Sequence, residues 1–270
     1  MTAEPERAYA FANARAAQRE RLRTLEAIND PGTIVQLEAR GIEPGWRCLE
    51  VGGGGGSIAA WMCDRVAPDG SVVATDLDTT VLAEVTRPNL EVRVHDVLAD
   101  DLPEGEFDLV HLRLLLAWLA EPRTALRRLI GALRPGGWLV AEELDFVSAV
   151  PDPRMDAESC ALFARLSEAH NAVLAERHDF DPAYGRRVAG DLEDAGLTDG
   201  GCEGRASMWR GDSAGGAIWR LTIAQLRDPL IASGMIDAAD VDAAMALCAE
   251  PHFSSLSPVM MAAWGRRPLR

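Results

Sequence analysis

Short apolar runs bounded by glycine, proline or aspartate alternate along this chain with longer stretches in which apolar residues recur every three or four positions. Residues 1–40 carry Leu22, Leu25 and Ile28, then Val35 and Leu37, on either side of Asp30-Pro31-Gly32, a spacing that predicts a helix, a turn and a second helix. After Gly45-Trp46 comes a compact run, Cys48-Leu49-Glu50-Val51. It leads through glycines into a helical segment, Ile58 to Val66, that stops before Pro68-Asp69-Gly70. The unit then recurs. Val72 to Thr75 closes at Asp76 and precedes a helix over 80–85. Leu90 to Val94 closes at His95-Asp96, and Phe107 to His111 precedes a helical leucine-rich stretch. Trp138 to Glu142 follows the turn Arg134-Pro135-Gly136-Gly137. Strands alternating with helices in this way predict a parallel, doubly wound α/β sheet with right-handed crossovers.

Beyond residue 150 the pattern changes. Asp152-Pro153 opens a long helix to about Ala175, a loop rich in His and Asp spans 177–182, and a further helix ends at Gly196. Residues 212–249 read as two helices around Ser233-Gly234, and Val259 to Trp264 as a terminal strand. The division that follows is an N-terminal helical cap (1–40), a core (41–150), and a segment of lid helices that completes the sheet (151–270).

A chain of 270 residues, 48% apolar and 26% charged, can bury one large core. With no long uncharged apolar run and a polar start, it is expected to be cytoplasmic and to have no membrane partner. The net charge of −15 argues against nucleic acid as a substrate, because a phosphate backbone selects basic surfaces. All 27 basic side chains are arginine, which removes Schiff-base and lysine-nucleophile chemistry. The five cysteines are scattered without a C-x-x-C pair, so they are expected to be buried small hydrophobes, with no metal site and no disulfide.

The chemistry concentrates in Glu50-Val51-Gly52-Gly53-Gly54-Gly55-Gly56-Ser57. Glycines between a strand and a helix let backbone approach a ligand closely, and the helix N-terminus offers unbonded N–H groups. A dinucleotide spacing from Gly52 would put its third glycine at Ser57, whereas E-x-G-x-G-x-G is met at Glu50, Gly52, Gly54 and Gly56. Asp76, closing the second strand, suits a ribose in either case. Taken singly, Glu50, Asp76 and Asp96 could each be a solvated strand-end carboxylate; together they stand at successive strand ends in register with the glycines.

The E-x-G-x-G-x-G run resembles motif I of class I S-adenosylmethionine (SAM)-dependent methyltransferases. Phe107-Asp108-Leu109-Val110-His111 and Leu133-Arg134-Pro135-Gly136-Gly137-Trp138-Leu139-Val140 are similar to their fourth-strand motif and their P-G-G turn. Within that superfamily the chain is similar to the ubiquinone/menaquinone-biosynthesis-type and bacterial small-molecule enzymes. The resemblance implies a Rossmann-like, seven-stranded, doubly wound sheet whose last strand is antiparallel, with helical lid insertions before strands six and seven. It implies SAM as cofactor and S-adenosylhomocysteine (SAH) as product. Glu50 would serve the methionine amino end, with Gly52, Gly53, Gly54 and Gly56 beneath the cofactor. Asp76 and Leu77 would lie at the ribose, Asp96 and Val97 at the adenine, and His111, Leu112 and Arg113 at the fourth strand end.

Related O-methyltransferases often carry a histidine pair after the fourth strand; here the positions are Ala117-Trp118. Of the five histidines, His95, His111, His170, His178 and His252, His111 is the best placed to touch cofactor or substrate and is the candidate catalytic group. Trp118, Phe146, Phe163, His170, Tyr184 and Trp219 are candidate walls of an apolar acceptor site. The reading is in-line methyl transfer to a small, apolar or polycyclic metabolite of secondary metabolism. The alternative is a non-methylating SAM-binding cyclase or rearrangement catalyst on the same fold. A small-molecule acceptor is the partner implied, and a homodimer is compatible with the sequence.

Overall fold

A computed structural model describes residues 15–269 of the chain. Five strands follow one another from the start of the sheet: β1 (Arg47–Val51), β2 (Ser71–Asp76), β3 (Leu90–Val94), β4 (Phe107–Arg113) and β5 (Leu133–Asp145). Then come β6 (Val150–Pro151), β7 (Thr198–Arg205), β8 (Met208–Arg210), β9 (Ser254–Leu256) and β10 (Val259–Arg266). The main sheet has seven strands in the order β3-β2-β1-β4-β5-β10-β7. Its first five strands are mutually parallel, and β10 runs antiparallel to both β5 and β7. This is the Rossmann-like sheet that the sequence implied. The chain reverses its direction of winding between β1 and β4, so the loop after β1 opens at the switch point where ligands settle in open α/β sheets.

The helices are α1 (Arg15–Ala39), α2 (Ser57–Val66), α3 (Pro122–Ala132), α4 (Ala157–Arg177), α5 (Val188–Asp194), α6 (Ala214–Ala232) and α7 (Ala238–Leu247). Two buried clusters fill the space around the sheet. One joins Leu49, Val51, Leu112 and Leu139 to the inserted helices through Phe163, Leu166 and Ile223. The other sits under α1 and α2, with Leu37, Ile58, Met62 and Val72.

Several elements differ from the sequence reading. The turn at Asp30-Pro31-Gly32 is absent, because α1 continues through Pro31. An internal proline costs about 3 kcal/mol in lost hydrogen bonding and crowding. Tertiary bonds grip the helix on both sides of it: Arg113 Nη2 donates to Asp30 Oδ1 (2.9 Å) and Nη1 to Thr33 Oγ1 (2.8 Å). Residues 1–14, part of the expected cap, lie outside the described residues. The helix expected over 80–85 is a single 3-10 turn, Leu82–Glu84, fixed by buried Leu82. The leucine-rich stretch after β4 is another 3-10 turn, Leu116–Trp118, and the helix waits for Pro122 at its first turn. The long helix expected from Asp152 starts at Ala157, because Asp156 is the residue whose side chain caps it, accepting from Ser159 N. Cys202 is exposed on β7, unlike the expected buried cysteines.

β7 itself, Thr-Asp-Gly-Gly-Cys-Glu-Gly-Arg, has no apolar alternation, because it is the exposed edge of the sheet. A second, three-stranded antiparallel sheet, β6-β9-β8, was also not foreseen. It gathers the segment before α4, the segment before α6 and the segment after α7 into one strip. No helix among the described residues is long and apolar enough to cross a membrane.

Candidate functional site

The glycine loop leaves β1 at the switch point and turns directly into α2. Gly56 is the N-cap of that helix in the left-handed region (φ 84°), where a side chain would be strained. A Cβ there would also lie 2.6 Å from Val85 Cγ2. Gly53 N donates to Thr75 O (2.9 Å) and Gly54 N to Asp76 Oδ2 (3.0 Å), so the loop is tied to the end of β2. Asp78 N donates to the other Asp76 oxygen (3.2 Å). Burial pushes the Asp76 carboxyl up from its usual range, and these backbone N–H groups pull the other way. Glu50, Gly52, Gly53, Gly54, Gly56 and Asp76 are thus brought together as one unit.

Glu50 points from β1 into a buried ionic network. Its Oε2 lies 2.6 Å from His111 Nδ1, and His111 Nε2 lies 3.3 Å from Glu142 Oε2 on β5. Thr33 and Arg205 also bond to Glu142, and Arg113 links Thr33 to Asp30. Burial alone would lower the His111 pKa, but Glu50 and then Glu142 outweigh it and hold the ring up at about 9. For Glu142, burial favours the acid form, yet His111, Thr33 and Arg205 bring it down to about 2.

These contacts correct the assignment of His111 as the catalytic group. The ring is 0% exposed, protonated near neutral pH, and engaged at both nitrogens, so it has neither a free lone pair nor a face toward a substrate. Leu112 is likewise packed in the core, and Arg113 reaches α1 instead of the ligand crevice.

At the outer strand ends, Asp96 folds its carboxylate back on its own turn, accepting from Leu98 N (2.8 Å). Val97 is buried in the core. Leu77, beside Asp76, is 64% exposed. His95, next to Asp96, buries both ring nitrogens with no hydrogen-bond partner among the described residues. An exposed apolar side chain and an unsatisfied ring therefore flank the two acids.

Five of the six expected acceptor walls join a continuous run of rings. Trp118 tilts on Phe180 (4.4 Å between centroids), Phe180 meets Phe146 (5.2 Å), and Phe146 meets His170 (5.8 Å). His170 then meets Trp219 (5.5 Å), which packs edge-on to Phe163 (5.3 Å). Burial lowers the His170 pKa to about 4, so this ring is neutral. Tyr184 stays outside the run, because its hydroxyl donates to Asp191 Oδ2 (2.9 Å) in a buried pair. A groove of about 480 Å³ opens beside Leu116, Phe180 and Tyr184.

Phe180 and Glu143 were not singled out from the sequence. Glu143, also 0% exposed, accepts at Oε1 from Leu115 N (2.9 Å) and Leu116 N (2.6 Å), and burial pushes it up to about 7. Leu114, at φ 57°, provides the left-handed residue that turns these N–H groups inward, an anion-binding nest. The available signal was the pair Glu142-Glu143 inside an apolar strand, since adjacent acids there must both find partners.

A family model described as a methyltransferase domain matches residues 49–141. Methyltransferase str3 of Strobilurus tenacellus is 32% identical over 148 residues, 54% of this chain and 51% of that protein. The ubiquinone/menaquinone biosynthesis C-methyltransferase UbiE of Vibrio parahaemolyticus is 30% identical over 179 residues, 60% of this chain and 68% of its own length. A solved Bacillus halodurans protein assigned to the methyltransferases aligns with a TM-score of 0.54 at 14% identity, covering 86% of this chain and 96% of that one; at this identity the likeness concerns the fold. The chain spans 51%, 37% and 46% of the length of the first three curated relatives it matches. With its sheet order, its glycine loop and these relatives, the chain belongs to the class I SAM-dependent methyltransferases.

Proposed function

We propose that the protein transfers a methyl group from SAM to a small, apolar or polycyclic acceptor. The observation that carries this reading is the glycine loop bonded to Asp76 at the switch point of the sheet. The surrounding residues fit an adenosyl group: the Asp76 carboxylate suits a ribose diol, exposed Leu77 offers an apolar face to a flat ring, and His95 has unsatisfied nitrogens beside Asp96. When bound, SAM supplies an electrophilic methyl on a sulfonium.

The chain's own residues then do the positioning. Asp76 orients the ribose end while His111 holds Glu50 toward the loop. The rings from Trp118 to Trp219 would bury the acceptor and exclude water, so that much of the rate comes from proximity and alignment. Glu143 acts indirectly by fixing the turn between Leu115, which faces Gly52, and Trp118 at the head of the ring run. The name of the UbiE relative, a methyltransferase of quinone biosynthesis, supports an apolar ring as acceptor. The charge of −15 supports a small molecule over nucleic acid.

Calorimetry tests the reading. The parent should bind both SAM and SAH, and Asp76→Ala should lose about 1.5–3 kcal/mol of SAH binding, the worth of a charged hydrogen bond. Undiminished binding by Asp76→Ala would remove the ribose assignment. Transfer of labelled methyl to phenolic or quinol acceptors would extend the test to the reaction.

A further inference from the structure

α1 lies directly over the glycine loop. A Cβ placed on Gly54 would meet Leu22 Cδ2 at 3.2 Å, and one on Gly55 would run into the Glu26 carboxylate. The side chain that lies against Gly55 is therefore an acid. The Ser57 N–H and hydroxyl face it, at the start of α2, yet Glu26 Oε1 is buried with no hydrogen-bond partner among the described residues.

The charges around the loop are unevenly matched. Glu50 is compensated by the His111 imidazolium, Glu142 by His111 and Arg205, and Asp30 by Arg113. Among the described residues Glu26 forms no ion pair, and the cation that acts on it, Arg113, is shared. The groups that face it are Asp30, Ser57 and Arg113, and the Arg113 guanidinium is already bonded to Asp30 and Thr33. Burial and Asp30 push the Glu26 carboxyl up, which is the mark of an acid lacking a positive partner. A buried, unbonded acceptor oxygen beside a ligand loop, on an acid that Ser57 and the shared Arg113 offset only in part, is suited to a cationic donor.

We propose that Glu26 receives the ammonium of the cofactor's methionine moiety, from the α1 side of the glycine loop. The proposal rests on the reading that SAM and SAH bind at this loop. It gives α1 a direct part in cofactor binding, at the Gly55 position of the loop. Two carboxylates flank the loop, Glu50 from the strand and Glu26 from the helix above. The strand acid is paired with the His111 imidazolium, whereas the helix acid meets only Ser57 and the shared Arg113.

A two-by-two calorimetric cycle tests it. The ligands are SAH and its deamino analogue, 5′-deoxy-5′-(3-carboxypropylthio)adenosine, which keeps the carboxylate and lacks the ammonium; weak binding is measured by displacement. The proteins are the parent and Glu26→Gln, which preserves shape and an acceptor oxygen but removes the charge. The expected result is SAH binding weakened by about tenfold or more in Glu26→Gln, with the analogue changed by less than about twofold. Equal weakening of both ligands would assign Glu26 a structural role in seating α1, and no change in SAH binding would assign it none; either overturns the proposal. A parent that binds neither ligand would instead overturn the reading on which the proposal rests, and the proposal with it.

Discussion

Glu142 and Glu143 are neighbours on β5 and equally buried, yet one is driven down to about 2 and the other up to about 7. Strand alternation sends them to opposite faces of the sheet. On the α1 face Glu142 meets the charges of His111 and Arg205. On the other face Glu143 meets backbone N–H groups of Leu115 and Leu116 and, among the described residues, forms no ion pair. Dipoles reach only one of its oxygens, Oε2 being buried without a hydrogen-bond partner among the described residues, and they do not cancel the cost of burying a full charge. The first face is an ionic clamp that fixes α1 to the sheet, and the second is a support whose strength depends on protonation.

The largest effect that would test this contrast is on the clamp. Glu142→Ala leaves His111 and Arg205 facing each other without their shared anion, and should cost about 3–5 kcal/mol of stability in a urea titration. A loss no larger than that of a surface substitution would remove the clamp. Next is the pH response of Glu143. Its folded pKa is raised above the unfolded value, so its contribution is fully present below the unfolded pKa of about 4.5 and is lost as pH rises through 7, by at most about 3 kcal/mol. Glu142 has the reverse sign, with stability present above about 4.5 and lost as pH falls toward 2. Glu143→Gln should therefore flatten the stability profile between pH 5 and 7, and an unchanged profile would show that Glu143 does not titrate there. The smallest effect is at the rim of the clamp. Arg113→Ala removes the bonds to Asp30 and Thr33 and should cost about 1–2 kcal/mol, with faster hydrogen exchange confined to α1 around Pro31.

The same contrast explains what the sequence could reveal. β1, β2, β4 and β5 were legible because buried parallel strands read as apolar runs, the edge strand β3 because Leu90, Val92 and Val94 alternate, and the glycine loop because its spacing matches a family motif. Continuity of α1 through Pro31 was not, since it depends on Arg113, a residue far along the chain that local propensity does not register. β7 was hidden because an exposed edge strand needs no apolar face. The place of Asp76 at a strand end was legible, and its bond to Gly54 N ties it to the glycine loop. His111 was misassigned because strand position gives no sign that two carboxylates will enclose the ring. Five members of the run of rings were named from the sequence as candidate walls, three of them, Phe163, His170 and Trp219, on the inserted helices. Phe180, in a loop without periodicity, was not among them.

The small sheet β6-β9-β8 bears on how such a protein can diversify. β6 leads into α4, β8 into α6, and β9 follows α7, so these inserted helices are stitched together at their roots by one strip of backbone hydrogen bonds. Pairing of this kind depends on main-chain groups and tolerates changes of side chain. The inserted helices thus form a cassette with its own fastening, separate from the strand ends that carry Glu50 and Asp76. Substitutions in the cassette can repack the rings that α4 and α6 contribute, Phe163, His170 and Trp219, while the glycine loop stays as it is.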